Sequence, residues 1–171
     1  MTLEQEIELQ KLLKDWREER NLKTDHLRKE LRGNFCEELA KYYRNKNEYV
    51  EVDSLCNIYV FCINSLNVEI KDIKEHIYSR YEYDNFSDIM GDFLDYIPYD
   101  KGIYKMMLCM ENLVGEVGYE FYGCMLEKIK EMFSKTGKYD EETNEWIEDT
   151  SKEAKAKWYK ADYSKCKITE R

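Results

Sequence analysis

Carboxylate, amide and ammonium side chains recur about one helical turn apart in two neighbouring stretches of the chain, NFCEELAKYY and VDSLCNIYVF. The residues concerned are Glu37, Glu38, Lys41, Asp53 and Asn57. Residues four apart lie on one face of an α-helix, so Asp53 and Asn57 point the same way. If the two stretches pack together, their oxygens converge, which is what a hard cation such as Mg²⁺ requires. The alternative is that both are solvated helix faces.

The second stretch belongs to a helix that is apolar on most of its surface and extends to Leu66. Such a helix is buried, either inside a bundle or at an oligomer interface. Asp53 and Asn57 therefore need partners, because an unpaired charge in an apolar interior is costly. We expect an all-α helical bundle completed by oligomerisation, since a monomer of 171 residues would struggle to cover this helix.

Local signals bound the helix that carries the first stretch. Thr24 or Asp25 suits the N-cap of a short helical turn, and Gly33 is expected to break that turn. Asn34 is then the N-cap of the next helix, and Glu37 completes a capping box. Glu37 therefore has two alternative roles, one in capping and one in metal binding.

The rest of the chain is also expected to be helical. Residues 3–20 and 103–133 have helical periodicity, the second range as one long helix or two abutting ones. Residues 67–102 have weaker periodicity in two pieces, with a possible short strand within 78–83. The turn-rich segment SKTGKYDEETNEWIED predicts a hairpin-like connection. We expect a single domain that spans residues 1–171.

Composition excludes several classes of protein. Only 7 glycines and 1 proline leave room for long helices, and the 37% of charged residues favours exposed, ion-paired helix faces. The net charge of −9 argues against a nucleic-acid or membrane-surface partner, because phosphate surfaces attract basic faces. No apolar run reaches the roughly 20 residues that cross a membrane.

The six cysteines predict neither a disulfide framework nor a zinc site. No two of them form a CxxC pair, and five lie in apolar, helix-like runs. Without a signal peptide, they are expected to be buried, reduced thiols in the cytoplasm. These five are Cys36, Cys56, Cys62, Cys109 and Cys124, and Cys166 follows in the C-terminal segment.

The C-terminal segment KWYKADYSKCK is basic within an acidic chain and interleaves aromatic with cationic side chains. Ammonium groups can hold triphosphate oxygens while an aromatic face stacks on a base. The alternative is an amphipathic helix, capped by Thr150 or Ser151, that packs its aromatic side chains on the body. The candidate substrate-binding residues are Lys41, Lys157, Trp158, Lys160, Tyr163 and Lys165.

Three motifs in chain order, DWREERNL, NFCEELAKYY and VDSLCNIYVF, resemble the all-α nucleoside triphosphate pyrophosphohydrolases. The likeness is to the MazG-like, dUTPase-related group and especially its phage-type members, whose C-terminal segment is similar to KWYKADYSKCK. The resemblance implies a helical bundle that binds Mg²⁺, or Mn²⁺, through an EExxE motif and an ExxD or DxxxD motif. It implies Glu38 as the general base or a ligand. The implied metal-binding residues are Glu37, Glu38, Asp53 and Asn57.

Three positions depart from those motifs. Lys41 stands at the third glutamate of the first motif, Asn57 at the last aspartate of the second, and Ser54 at the ExxD glutamate. Fewer carboxylates weaken the binding of hard cations. Either the site binds fewer metals, or neighbouring acids compensate, or activity is lost. The neighbouring acids are Glu48, Glu51 and Glu111.

Three functions are consistent with these features. The resemblance favours a Mg²⁺-dependent pyrophosphohydrolase that cleaves a (d)NTP to a (d)NMP and pyrophosphate. The departures at Lys41 and Asn57 favour a non-catalytic member of the same fold that binds a nucleotide or a protein partner. A purely structural helical bundle accounts for the buried helix and leaves the basic aromatic segment unexplained.

Overall fold

Most of the chain is helical, and one two-stranded sheet accompanies the helices. The computed structural model describes residues 1–74, 98–143 and 145–169, so much of what was expected within 67–102 lies outside the described residues. Within these ranges, none of the helices combines the length and apolar character needed to cross a membrane. The helices are α1 (Leu3–Glu19), α2 (Thr24–Arg44), α3 (Glu48–Asn64), α4 (Ile70–Lys74), α5 (Asp100–Glu116), α6 (Phe121–Ser134) and α7 (Lys152–Lys155), with a 3₁₀ turn at Tyr163–Cys166. The strands are β1 (Gly137–Asp140) and β2 (Glu145–Glu148).

Helix α3 is the centre of the bundle. It packs against α1, α2, α5 and α6, and its buried residues lie on nearly every side of the helix. The prediction of a buried second helix is therefore confirmed, as is a mostly helical fold. Because one chain already covers α3, its burial does not require a second copy. Oligomerisation and the family's particular bundle stay predictions.

Helix α2 is one continuous element, so the break expected at Gly33 is wrong. Asn34 lies inside this 21-residue helix, is not an N-cap, and forms no capping box with Glu37. A glycine in a helix interior costs about 1 kcal/mol relative to alanine. Burial of Leu31 and Phe35 in the core offsets that cost, because tertiary packing supplies most helical stability in proteins.

The connections on either side of the core helices follow local signals. Asn47 ends the polar turn after α2 and caps α3 by accepting a hydrogen bond from the Tyr49 N–H at 2.9 Å. Residues 103–133 are divided between two abutting helices, α5 and α6. Gly118 lies between them with φ of +91°, a conformation that favours glycine. Glu120 then caps α6.

The predicted hairpin is confirmed as β1 and β2, which pair in antiparallel register. A buried arginine, Arg20, fixes the hairpin to the bundle. Its guanidinium lies 4.7 Å from the ring centre of Trp16 and 5.0 Å from that of Trp146 in β2. It also donates to the carbonyls of Met132 and Lys135, at 3.4 and 3.1 Å. These bonds satisfy carbonyls that the end of α6 leaves without helical partners.

Cysteine burial follows the prediction except at Cys36, which is exposed. The buried face of α2 runs through Leu31, Phe35 and Glu38, and Cys36 projects from another side of the helix. The other four predicted thiols are buried and free, and Cys166 is partly buried. The buried four are Cys56, Cys62, Cys109 and Cys124.

Candidate functional site

Residues 152–169, hereafter the tail, do not form the predicted amphipathic helix. The helical part, α7, ends at Lys155, and non-helical chain leads from there to the 3₁₀ turn Tyr163–Cys166. The expected N-cap is correct, because the Ser151 hydroxyl accepts a hydrogen bond from the Ala154 N–H at 3.2 Å. The helix prediction beyond Lys155 is wrong.

Two glutamates on α6 bind the backbone of the tail. Glu131 accepts a hydrogen bond from the Ala161 N–H at 2.9 Å, and Glu127 accepts one from the Asp162 N–H at 3.0 Å. Glu127 also accepts from the Tyr159 hydroxyl. These contacts satisfy N–H groups that a helix would bond internally, so they stabilise the non-helical path of the tail.

The end of the tail pairs with the turn between α5 and α6. The Cys166 carbonyl accepts from the Glu120 N–H at 2.7 Å, and the Ile168 N–H donates to the Gly118 carbonyl at 2.8 Å. The tail is thus held along α6 and at its far end. Between these points the side chain of Tyr163 turns inward and is 4% exposed.

Tyr163 reaches Asp53 of α3. The Asp53 Oδ1 atom accepts from the Tyr163 hydroxyl at 2.6 Å and from the Lys128 ammonium at 2.9 Å. Its Oδ2 atom accepts from the Asn57 amide at 3.2 Å, and Lys128 also lies 3.6 Å from Glu131 Oε1. We call these five residues the Asp53 network. The expectation that Asp53 and Asn57 share a helix face and have partners is confirmed.

Burial and charge pairing act in opposite directions on the pKa values of this network. Burial would raise the pKa of Asp53, but the Lys128 charge and the hydrogen bonds it accepts lower the pKa below its ordinary value. Burial would lower the pKa of Lys128, but Asp53 and Glu131 raise it above its ordinary value. Burial, first, raises the pKa of Tyr163. At neutral pH the network therefore contains an ionised carboxylate, an ammonium and a neutral phenol.

A cleft of about 830 Å³ lies over the Asp53 network, between α3, the end of α6 and the tail. Asp53 and Glu131 line the side formed by the bundle. The cleft is large enough for a ligand of nucleotide size. The tail side chains that line it are cationic or aromatic: Lys155, Trp158, Tyr159, Lys160 and Tyr163.

The charges around the cleft leave cationic groups available. The Asp162 carboxylate at its edge is 3.2 Å from Lys165, which compensates it. Lys155 and Lys160 have no ion-pair partner in the described part of the chain. The Trp158 indole N–H is shielded from solvent and has no hydrogen-bond acceptor among those residues. This arrangement can bind an anion that also carries an aromatic ring.

Three of the predicted substrate-binding residues therefore line the cleft, namely Trp158, Lys160 and Tyr163. The other three do not. Lys157 is exposed, Lys165 pairs with Asp162 and Glu127, and Lys41 lies on α2.

The predicted metal ligands do not form one donor set. Glu38 Oε1 accepts from Lys41 at 2.6 Å, and Glu38 Oε2 is buried without a hydrogen-bond partner in the described structure. Glu37 is exposed, and both Asp53 oxygens accept from N–H or O–H donors, one of them from Asn57. A hard cation needs several oxygens directed at it. The arrangement therefore does not fit Mg²⁺ or Mn²⁺ as it stands, and metal binding stays a prediction.

A different group of possible metal-binding side chains lies at the surface. Of the residues that the structure describes, only His26, Glu30 and Glu145 form a set of three whose ligand atoms all lie within 4.8 Å of one another. Both glutamates are exposed, and none of the three was a predicted ligand. Exposed acidic groups often gather without a cation, so we assign no site there.

Lys128 and Glu131 are the functional-site residues that the sequence analysis missed. A signal for Lys128 is present, because it shares a helical spacing with buried residues of α6 at Cys124, Met125 and Ile129. A lysine on such an apolar face needs an anionic partner. Which carboxylate serves as that partner depends on the packing of α6 on α3.

No protein-family model, curated protein or solved structure matches the chain. The family resemblance therefore rests on the sequence motifs alone.

Proposed function

We propose that the protein binds a nucleoside triphosphate in the cleft between the bundle and the tail. One observation carries the proposal. The cleft brings Asp53 of the second motif together with Trp158, Lys160 and Tyr163 of the basic aromatic segment, although about a hundred residues separate them in sequence. A solvated helix face or a simple packing helix would not produce that arrangement.

Each group has a role in such binding. The ammonium groups of Lys155 and Lys160 donate charge-assisted hydrogen bonds to phosphate oxygens. The ring of Trp158 stacks on the base, and its N–H is a free donor for a base or sugar acceptor. The Asp53 network holds Tyr163 and hence the cleft wall in place.

The test is nucleotide titration by calorimetry, with Lys160→Ala compared with Lys157→Ala. Both changes remove one lysine from the tail, but only Lys160 lines the cleft. We expect Lys160→Ala to weaken binding of a (d)NTP about tenfold, the loss of one charge-assisted hydrogen bond. Lys157→Ala should change it less than about twofold. If no common (d)NTP binds the wild type, or both variants behave alike, the proposal is wrong.

Hydrolysis of the bound nucleotide to a monophosphate and pyrophosphate is a second candidate. The observation that favours it is the buried, unpartnered Oε2 of Glu38, beside an Oε1 that Lys41 holds at 2.6 Å. A carboxylate oxygen of this kind can accept a proton from water. A pyrophosphate-release assay with Mg²⁺ and with Mn²⁺ tests it. Turnover by the wild type and its loss in Glu38→Gln would support catalysis, and no turnover would leave binding alone.

A further inference from the structure

Lys128 is a charged residue in a position built for an apolar one. Its neighbours in helical spacing, Cys124, Met125 and Ile129, are buried, and its own side chain is 6% exposed. A buried ammonium is stable only beside carboxylates. Lys128 has two, with its nitrogen 2.9 Å from Asp53 Oδ1 and 3.6 Å from Glu131 Oε1.

Those two carboxylates come from different elements and face the cleft, which is also how proteins arrange ligands for a divalent ion. In this chain the ammonium occupies the space between them. The Tyr163 hydroxyl shares Asp53 Oδ1 with it, and Asn57 presents an N–H to Oδ2. Each Asp53 oxygen is thus directed at a hydrogen-bond donor. A metal ion could bind Asp53 only by displacing Lys128 against the repulsion of two positive charges.

We propose that Lys128 is a built-in cation that replaces a divalent ion at Asp53. Its ammonium joins α6 to α3, neutralises the carboxylates of Asp53 and Glu131, and leaves Asp53 as the acceptor that fastens Tyr163 and the tail. The cleft therefore takes its anionic ligand without a metal at Asp53, and ligand binding is insensitive to EDTA. The identity of that ligand rests on the proposed function, whereas the exclusion of metal by Lys128 does not.

The test is a titration with Mn²⁺ alone, followed by electron paramagnetic resonance of the free ion. We expect wild type and Asp53→Asn to bind Mn²⁺ equally, since surface acids bind in both. In Lys128→Met we expect a new site, at least about tenfold tighter than in the double variant Lys128→Met with Asp53→Asn. Lys128→Arg keeps the charge and should bind as the wild type does.

Two results would overturn the proposal. One is weaker Mn²⁺ binding in Asp53→Asn than in wild type, because Asp53 would then already be a ligand. The other is a folded Lys128→Met that gains no site dependent on Asp53, because Lys128 would then not be what excludes the ion. If Lys128→Met does not fold, Lys128→Gln serves in its place. Failure of nucleotide binding in the earlier titration leaves these outcomes unchanged, so the two proposals fail separately.

Discussion

Two sites in this bundle use the same three side-chain types, a carboxylate, a lysine and a tyrosine. At the first, Glu6 of α1 accepts from Lys74 at 2.9 Å through Oε1 and from the Tyr104 hydroxyl at 3.0 Å through Oε2. At the second, Asp53 accepts from Lys128 at 2.9 Å and from the Tyr163 hydroxyl at 2.6 Å. The donors and distances are nearly matched.

The two sites differ in their surroundings. The Glu6 side chain is 2% exposed and joins α1, α4 and α5 inside the bundle, whereas the Asp53 side chain is 36% exposed and lines the cleft. One tyrosine belongs to a core helix and the other to the tail. The comparison teaches that the triad itself indicates only a buried polar link. An adjoining cleft and a peripheral segment held by the link are what make the Asp53 site a functional candidate.

The largest effect is expected at the enclosed site. Lys74→Met should lower the free energy of unfolding by about 3 kcal/mol, because Glu6 stays buried without its counter-charge. Nucleotide affinity should not change. Urea denaturation followed by circular dichroism measures the loss. Lys71→Met, an exposed lysine of the same helix, is the control and should cost less than about 0.5 kcal/mol. Equal stability of the two variants would show that the Glu6 link is dispensable.

Removing one hydroxyl from each site separates structure from binding. Tyr104→Phe should lower the free energy of unfolding by about 1–2 kcal/mol and leave nucleotide affinity unchanged. Tyr163→Phe should destabilise the whole protein less, because it releases only the tail. It should weaken nucleotide binding about fivefold and speed limited proteolysis within residues 152–169. If the two variants affect affinity equally, the distinction between the sites is lost.

The pH dependence of stability provides a smaller effect. The pKa of Asp53 lies below its ordinary value of 3.8, so its contribution is complete above that value and is lost as pH falls through the lowered pKa. The pKa of Lys128 is raised above 10.5, so its contribution is complete below that value and is lost as pH rises through the raised pKa.

We therefore expect a constant difference in unfolding free energy between wild type and Asp53→Asn from pH 5 to pH 8, about 1 kcal/mol or more. The difference should shrink only in stronger acid. Urea titrations at several pH values measure it, and Asp15→Asn, an exposed aspartate of α1, is the matched control. A difference that disappears already near pH 5 would contradict a lowered pKa for Asp53.

The smallest effect concerns local opening, and two buried thiols report it. Cys56 lies near Asp53 and Lys128, and Cys62 lies near Tyr59, as does Glu6. Burial raises the pKa of both thiols, so both should resist iodoacetamide while the exposed Cys36 reacts. In Tyr163→Phe we expect several-fold faster labelling of Cys56 alone, measured by mass spectrometry. Faster labelling of Cys62 as well would indicate general unfolding.

Much of the helical framework was predictable because helix formation depends on near neighbours. The periodic apolar residues of α1, α3, α5 and α6 were sufficient to predict those helices, and the turn residues before Trp146 were sufficient for the hairpin. The need of Asp53 for partners also follows from a polar residue within an apolar run. The errors at Gly33 and in the tail have one cause. Contacts with distant elements overrode a local helix-breaking residue in one case and a local helical pattern in the other.

The sequence by itself determined which side chains had to be paired, and only the tertiary structure decided with what. Asp53 and Lys128 are 75 positions apart, and Asp53 and Tyr163 are 110 apart. No periodicity extends over such separations, because the pairing depends on how α6 and the tail pack on α3. The same reason explains why Glu38 and Asp53, adjacent in the motifs, acquired separate partners. Local patterns specify the helices, and burial of the whole apolar surface selects which of their polar groups meet.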